Sequence, residues 1–258
     1  MMHVPRRRFG QNFLHDRNII AKIIAAIDPR RTDHLVEIGP GHGALTEPLL
    51  AELDVLHVVE IDRDLIAMLR DRFDAARLII HAGDALEFDF ATLPQPLRVV
   101  GNLPYNISTP LLFHLARYSD RIVDGHFMLQ REVVDRMVAD PSTPAYGRLS
   151  VTLQARFDMA RLFTVGAGAF TPAPKVESAI VRMRPLAVPL LSTAIEPVFQ
   201  SVVTRAFTQR RKTLRNALAG VADQALLASL DIDAGLRPEA LSVAAFVRIA
   251  TAVHQRDA

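Results

Sequence analysis

Apolar and polar residues alternate with two different periods over the first 184 positions of the chain. Isoleucines recur at helical spacing over Ile19–Ile27, with Asp16 in the position of an N-cap and Pro29 just beyond the last turn, so this pattern predicts a helix. Similar helical patterns follow Asp62 and Ser108. The apolar runs between the helical stretches are short and typical of strands, and they are His34–Ile38, Val55–Ile61, Leu78–His81, Leu97–Val100, Ile122–Leu129 and Ala179–Met183.

The alternation of strands and helices predicts an α/β fold, in which helices cover both faces of a mostly parallel sheet. After Arg184 the strand pattern ends, and helical stretches such as Ser242–His254 take over. Pro185 and Pro189 are typical of a linker. We therefore predict a sheet-containing domain over residues 1–184 and a small all-α domain over residues 185–258. Ligands of such sheets bind beyond the carboxyl ends of the strands, so the residues that follow each strand are the candidates for chemistry.

The composition excludes several classes of protein. The chain has 258 residues, of which 50% are hydrophobic and 22% charged, as is typical of a globular protein. Cysteine is absent, which excludes disulfide scaffolds, cysteine nucleophiles and metal centres built on thiolates. The nine histidines show no ligand spacing, so we expect no metal. No apolar run approaches the roughly 18 residues of a membrane span and no signal peptide is evident, so we expect a cytoplasmic protein without a membrane partner.

Arginine supplies 27 of the 30 basic residues. The net charge is −1 over residues 1–183, with 21 basic and 22 acidic residues, and +3 over residues 184–258, with 9 basic and 6 acidic residues. An arginine side chain binds phosphate through two parallel hydrogen bonds and stacks on bases, so this excess indicates a nucleic-acid partner. A GC-rich genome would also favour arginine over lysine, and both explanations remain open at this point.

Two basic clusters are candidates for contact with nucleic acid. The run Arg6, Arg7 and Arg8 is either a phosphate contact or a solvated tail. The second cluster lies between Pro197 and Ala222, a stretch without an acidic residue. Positive charges without neighbouring acids favour phosphate binding over a solvated helix face. The predicted RNA-binding residues of this second cluster are Arg205, Arg210, Arg211, Lys212 and Arg215.

A glycine-rich loop follows the first predicted strand. Residues Gly39–Ala44 read Gly-Pro-Gly-His-Gly-Ala, and glycines allow the backbone to approach a ligand closely. Glu60 ends the second predicted strand, 21 residues after Gly39, where an acid accepts hydrogen bonds from ribose hydroxyls. Asp84 follows the third strand and either accepts from an adenine amino group or caps a helix. The pattern favours a nucleotide-like cofactor over a plain tight turn, with a nicotinamide dinucleotide and S-adenosylmethionine both open.

The segment Asn102–Tyr105 follows the fourth predicted strand and reads Asn-Leu-Pro-Tyr. It is compatible with a simple turn, but it also suits methyl transfer to an exocyclic adenine nitrogen. The N6 lone pair is delocalised into the ring, and the Asn102 side-chain oxygen and the Pro104 carbonyl can accept the N6 hydrogens as the nitrogen becomes tetrahedral and positively charged. Tyr105 can stack on the base. We therefore predict that Asn102, Leu103, Pro104 and Tyr105 form the catalytic motif.

These motifs, in this order, resemble those of the KsgA/RsmA family of small-subunit rRNA adenine N6,N6-dimethyltransferases, and the resemblance runs nearly end to end. The segments that carry it are Arg8–Leu14, Glu37–Thr46, Gly101–Ser108, Met128–Val133, Tyr146–Val151, Phe170–Ser178 and Gln209–Asn216. The resemblance implies a Rossmann-like methyltransferase domain that uses S-adenosylmethionine, followed by a helical domain that docks on rRNA. The cofactor-binding residues expected on this basis are Gln11, Asn12, Leu14, Gly39, Gly41, Gly43, Glu60, Ile61, Asp84, Ala85 and Asn102.

The resemblance also implies that Phe170 stacks on the target adenine, although a core aromatic in a proline-rich loop is the simpler explanation of that residue. The implied substrate is 16S rRNA in an assembling small ribosomal subunit. A monomeric enzyme would methylate it four times, on two neighbouring adenosines of a hairpin near its 3′ end.

One alternative function is that of an enzyme of the antibiotic-resistance type, which methylates large-subunit rRNA. Leu103 and the Gln209–Asn216 segment disfavour this alternative. Another is a ribosome-assembly or transcription factor that binds S-adenosylmethionine without catalysis. A nicotinamide oxidoreductase is the weakest alternative, since no acid–base residue for hydride chemistry is evident.

Overall fold

The computed structural model describes residues 12–257, and no helix among them is both long and apolar enough to cross a membrane. Six apolar runs become strands whose bounds agree with the sequence patterns to within two residues. Because most of these strands are buried on both faces, their sequences are nearly continuous apolar runs. The strands of the described chain are β1 (Phe13–Leu14), β2 (His34–Ile38), β3 (Leu56–Glu60), β4 (Leu78–Ala82), β5 (Leu97–Asn102), β6 (Ile122–Gln130), β7 (Phe157–Val165), β8 (Phe170–Thr171) and β9 (Ser178–Pro185).

Aspartate side chains cap the start of several helices. The Asp16 carboxylate accepts hydrogen bonds from the backbone N–H groups of Asn18 (2.9 Å) and Ile19 (3.1 Å), which fixes the start of the first helix. Asp62 caps the third helix in the same way through the N–H of Asp64 (3.0 Å). The α-helices are α1 (Arg17–Ile27), α2 (Thr46–Glu52), α3 (Arg63–Arg72), α4 (Ser108–Ala116), α5 (Arg131–Met137), α6 (Arg148–Gln154), α7 (Glu196–Thr208), α8 (Leu214–Ala217), α9 (Gln224–Ser229) and α10 (Val243–Asp257).

Seven strands form one sheet in the order β4-β3-β2-β5-β6-β9-β7. The pairs β4–β3, β3–β2, β2–β5 and β5–β6 are parallel, whereas β9 runs antiparallel to β6. This mostly parallel sheet with interleaved helices confirms the predicted α/β class. The chain builds outward from β2 in both directions, so β2 and β5 flank the point where the strand order reverses. That point is where open α/β sheets bind their ligands.

Strand β7 and helices α5 and α6 have no counterpart in the sequence-based prediction. The β7 strand lies at the edge of the sheet, and charged side chains such as Asp158 and Arg161 are exposed along it. Its sequence therefore lacks the continuous apolar run that marks a strand buried on both faces.

The chain divides into two compact units, and the second is built from two separate stretches. The first unit takes the chain up to Val134 and Met159–Pro185, and the second takes Asp135–Asp158 and the chain from Leu186 onward. Tyr146 explains why the earlier stretch joins the second unit: it is fully buried in that unit's core, and its hydroxyl donates to the Leu241 carbonyl (2.9 Å). The sequence-based boundary at residues 184/185 leaves this stretch in the first domain, because a linear boundary cannot represent a segment that packs against helices later in the chain.

Candidate active site

A cavity of about 270 Å³ opens at the carboxyl ends of β2, β3 and β5 in the first unit. It brings together most of the residues predicted for cofactor binding and catalysis. Gly43 and Phe170 are described but do not line it, and Gln11, Arg6, Arg7 and Arg8 lie outside the described residues. The predicted residues that line the cavity are Asn12, Leu14, Gly39, Gly41, Glu60, Ile61, Asp84, Ala85, Asn102, Leu103, Pro104 and Tyr105.

Two glycines of the loop between β2 and α2 have different structural roles. Gly41 has a φ of +57°, and a Cβ added there would lie 3.1 Å from the ring of Phe13, so both the backbone conformation and the space favour glycine at this position of the cavity wall. Gly43 has a φ of +81°, and a Cβ there would lie 3.3 Å from Phe73. Gly43 therefore allows the loop to pack on the end of α3 and does not face the cavity.

Two acids at neighbouring strand ends have their carboxylates held by backbone N–H groups. Glu60 Oε1 accepts from Ile61 and Asp62, each at 2.9 Å, and only 6% of the residue is exposed. Burial raises the pKa of Glu60, while these backbone hydrogen bonds oppose the shift. Asp84 Oδ1 accepts from the N–H of Leu86 (2.9 Å) and organises a turn, with no helix beginning directly after it. Both acids thus present a fixed acceptor to the cavity.

Asn102 ends β5, and its side-chain amide has a defined orientation. Its Nδ2 donates to the backbone carbonyl of Asn12 at 3.0 Å. No described residue donates to Asn102 Oδ1, so the oxygen remains available as an acceptor at the cavity. The Pro104 carbonyl already accepts from the N–H of Ile107 (3.1 Å), although a carbonyl oxygen has a second lone pair with which it can accept again.

A family model described as ribosomal RNA adenine dimethylase matches residues 2–255, which is almost the whole chain. The chain belongs to the ribosomal RNA adenine dimethylase family. It is accordingly a methyltransferase, and the prediction of S-adenosylmethionine as its cofactor is confirmed, with the nicotinamide alternative set aside.

Curated relatives are similar to almost the whole length of the chain. The chain is 62% identical over 247 residues to a protein of Aromatoleum aromaticum, with 96% of the chain and 93% of the relative covered. It is 59% identical over 249 residues to a protein of Nitrosospira multiformis, with 96% of each covered. Both relatives are named ribosomal RNA small subunit methyltransferase A.

Two solved structures of other proteins have the same fold. A dimethyladenosine transferase from Plasmodium falciparum superposes with a TM-score of 0.79 at 24% identity, covering 92% of this chain and 95% of that one. The 23S rRNA methyltransferase ErmE superposes with a TM-score of 0.73 at 26% identity, covering 94% of this chain and 99% of that one. These similarities confirm the Rossmann-like methyltransferase fold.

The side chains of this family member fit the chemistry of a sulfonium cofactor. Glu60 can accept from ribose hydroxyls and Asp84 from an adenine amino group, and the two acids make the cavity favourable for a cation. The described residues include no group of three or more His, Cys, Asp or Glu side chains that could hold a metal ion.

Glu37 is a cavity residue that the sequence-based list of site residues missed. It lies on β2, is 2% exposed and accepts a hydrogen bond from Thr46 Oγ1 at 2.6 Å. Burial raises the pKa of Glu37 to about 7, and the nearby Glu60 carboxylate adds to the shift, against the Thr46 hydrogen bond. The sequence contains a signal for Glu37, which is an acid within the apolar stretch of a predicted strand. Burying a carboxylate is costly unless it has a partner, so an acid at such a position indicates a function or a specific partner.

Phe170 lies on β8, which pairs antiparallel with β1 so that Leu14 is opposite Phe170. It is 3% exposed and belongs to the hydrophobic core of the first unit. In this structure its ring is therefore a core side chain next to the cavity-lining Leu14, and stacking on a target base would require it to move.

The basic cluster of the second unit is partly engaged within the protein. Arg210 donates to Glu239 (2.6 Å) and to the Pro144 carbonyl (2.9 Å), and Arg205 donates to the Ala219 carbonyl. Glu239 neutralises Arg210 although the cluster contains no acid in sequence. Within residues 12–257 no hydrogen bond or ion pair engages the side chains of the exposed Arg211, Lys212 and Arg215.

Proposed function

We propose that this enzyme transfers methyl groups from S-adenosylmethionine to N6 of two adjacent adenosines in a hairpin near the 3′ end of 16S rRNA, as part of small-subunit biogenesis. The observation that carries the proposal is the orientation of Asn102. Its amide nitrogen is engaged by the Asn12 carbonyl, so its oxygen is the group left for the N6 hydrogens of an adenine. The proposal includes a monomeric enzyme acting in the cytoplasm, where ribosomal subunits assemble.

Bound S-adenosylmethionine supplies an electrophilic methyl group carried on a positively charged sulfur. Asn102 Oδ1 accepts a hydrogen bond from the N6 amino group, and this bond becomes stronger as the nitrogen becomes tetrahedral and positively charged, so it lowers the barrier more than it strengthens ground-state binding. The N6 lone pair forms the new bond to the methyl carbon, the electrons of the broken carbon–sulfur bond stay on sulfur, and the methylated nitrogen then releases its extra proton to solvent. Pro104 contributes its carbonyl through the lone pair that Ile107 does not use. Because Glu60 and Asp84 are held in place before the reaction, alignment of the reactants costs little at the moment of attack.

The small-subunit substrate is supported over the large-subunit alternative by the degree of similarity. Relatives named small subunit methyltransferase A are 55–62% identical to this chain, whereas the large-subunit enzyme ErmE is 26% identical. A binding protein without catalytic function would not need an amide oxygen at the cavity to which none of residues 12–257 donates. The loop of an RNA hairpin is a suitable substrate for this reaction, because unstacking one of its bases and moving it into a pocket costs little free energy.

Docking on rRNA is proposed to use Arg211, Lys212 and Arg215, together with the Arg6–Arg8 run. The first three are exposed and have no acidic partner among the described residues. Phosphate contacts by such side chains supply sequence-independent affinity, and the selection of the target base is then left to the cavity.

The test is methyl transfer from labelled S-adenosylmethionine to small subunits purified from cells that lack the modification, followed by nucleoside analysis. We expect N6,N6-dimethyladenosine at two adjacent positions of 16S rRNA. Large subunits and fully modified small subunits are the matched control substrates. Preferential methylation of large subunits, or methylation at another atom of the base, would refute the proposal.

A further inference from the structure

The Tyr105 hydroxyl is held by a buried serine from a distant part of the chain. Its oxygen lies 2.7 Å from Ser178 Oγ, and Ser178 is 0% exposed. Tyr105 is the hydrogen-bond partner of the Ser178 side chain within the described residues. The next residues of β9, Ala179, Ile180 and Val181, are buried and apolar. A buried hydroxyl in such a strand is costly without a partner, so its presence calls for a role.

The position of Ser178 is fixed by the end of β6. Ser178 lies opposite Gln130 in the antiparallel register of β6 and β9. Just before it, the Glu177 carbonyl accepts from the Arg131 N–H (2.9 Å), and the Glu177 carboxylate pairs with the Arg131 guanidinium (2.5 Å). The serine hydroxyl is therefore a rigid reference point, set by the sheet and not by the loop that carries Tyr105.

The backbone end of Tyr105 is anchored independently. The Leu103 N–H donates to the Met128 carbonyl (3.1 Å), and Ser108 Oγ donates to the Tyr105 carbonyl (3.1 Å). A tyrosine ring has two side-chain torsions, and the bond to Ser178 fixes the position of the phenol oxygen. Because a phenol donates and accepts hydrogen bonds near the plane of its ring, the same bond also sets the rotation of the ring about its long axis. The ring plane at the cavity is thus determined before any base enters.

We propose that Ser178 is a positioning residue for methyl transfer, whose hydroxyl fixes the plane of the Tyr105 ring on which the target adenine stacks. This inference rests on the proposed function, since it assigns Tyr105 to the target base. A fixed ring orients the N6 nitrogen toward Asn102, and correct alignment of the reacting atoms is a large part of catalysis for transfer reactions. Ser178 itself does not touch the reacting atoms.

The test is a double-mutant cycle with Ser178→Ala and Tyr105→Phe, using single-turnover methylation of small subunits at saturating enzyme. Each single variant should slow transfer about two- to tenfold, the scale of one hydrogen bond between neutral groups. The double variant should be no slower than either single variant, because both changes remove the same bond. Equal binding of small subunits by all four proteins is expected, since phosphate contacts supply most of that affinity.

Ser108→Ala is the matched control, because it removes a serine hydroxyl that binds the backbone of the same tyrosine and not its phenol. Its effect should be the same whether residue 105 is Tyr or Phe. If Ser178→Ala also has the same effect in both backgrounds, the serine acts through packing and the inference is wrong. A fall in S-adenosylmethionine affinity equal to the fall in rate would also overturn it, because the hydroxyl would then serve the cofactor.

A second readout separates this inference from the proposed function, because it needs no RNA. The chain contains three tyrosines, so fluorotyrosine labelling should give three resolvable signals, of which Tyr105→Phe removes one. Burial raises the pKa of Tyr105 and the Ser178 hydrogen bond lowers it, so Ser178→Ala should raise that pKa further and shift that signal. An unmoved signal would refute the hydrogen bond, whereas a moved signal in an enzyme that fails to methylate small subunits would refute only the proposed substrate.

Discussion

The sequence predicts the residues of the cavity in the first unit more accurately than it predicts the free charges of the basic cluster in the second unit. At the cavity, twelve predicted residues come together, because most of them end a strand or lie in the loop that follows one, where the backbone sets their position. In the basic cluster, five residues share a charge pattern, but Arg210 is paired with Glu239 and Arg205 is bound to a carbonyl. Backbone-determined positions can thus be predicted from local sequence, whereas the partners of long side chains depend on residues far away in the chain.

The largest effect should come from Asn102, which lines the cavity at the end of β5. Asn102→Ala should reduce single-turnover methyl transfer roughly 10²–10³-fold, the scale for removing one preorganised polar partner of the transition state. Binding of small subunits should change little. Asn102→Asp should alter cofactor affinity as well as rate, because it would add a negative charge to the cavity that takes the cationic cofactor and its oxygens cannot donate to the Asn12 carbonyl. Transfer by Asn102→Ala at the parent rate would contradict the mechanism.

Glu60 tests whether a carboxylate held by backbone N–H groups binds the cofactor. Glu60→Ala should weaken S-adenosylmethionine binding by roughly 1.5–3 kcal/mol, the scale of a hydrogen bond to a charged acceptor. Isothermal titration calorimetry on the purified protein measures this directly. Glu87→Ala is the matched control, because Glu87 is an exposed acid of the same unit that does not line the cavity. Equal affinity of Glu60→Ala and Glu87→Ala would remove Glu60 from the site.

The basic cluster should separate into two functional classes. Changing Arg211, Lys212 and Arg215 to Gln should flatten the salt dependence of small-subunit binding by about 0.7–0.9 log units for each phosphate that is no longer neutralised. Arg210→Gln should leave the slope nearly unchanged and lower the melting temperature, because Arg210 is engaged by Glu239. Filter-binding titrations at several salt concentrations and thermal unfolding measure the two effects. If Arg210→Gln flattens the slope as much as Arg211→Gln, the ion pair does not exclude Arg210 from RNA contact.

The smallest effect should come from replacing Glu37, which should change how the free energy of unfolding depends on pH. Its pKa is raised to about 7 in the folded protein. Between its unfolded value near 4.5 and about pH 7, the folded state holds a proton that the unfolded state has lost, so this group's contribution to stability falls as the pH rises and is constant above that window. Glu37→Gln should therefore stabilise the protein at pH 8, where the buried Glu37 is largely ionised, with little change near pH 4.

Denaturant unfolding at the two pH values measures this difference. The exposed Glu87→Gln is the control and should show no such pH dependence. A Glu37→Gln protein that is destabilised equally at both pH values would show that the Thr46 hydrogen bond, and not the buried charge, dominates at this position.

The sequence by itself determined most of the strand and helix pattern, the cap at Asp16 and the residues at the strand ends. These features depend on periodicity and on contacts within a few residues, which spacing encodes. It did not reveal β7, whose exposed charges interrupt the apolar pattern, nor the membership of Asp135–Asp158 in the second unit.

Only the tertiary structure decided which distant groups meet at the site. The bond from Asn102 to the Asn12 carbonyl, the bond between Tyr105 and Ser178, and the burial that raises the pKa of Glu37 all depend on how strands far apart in sequence are paired. Strand register is a property of the whole sheet, because it is set by the combined burial of many side chains. A local pattern can place an acceptor at the end of a strand, but the donor that orients it comes from a part of the chain that only folding brings near.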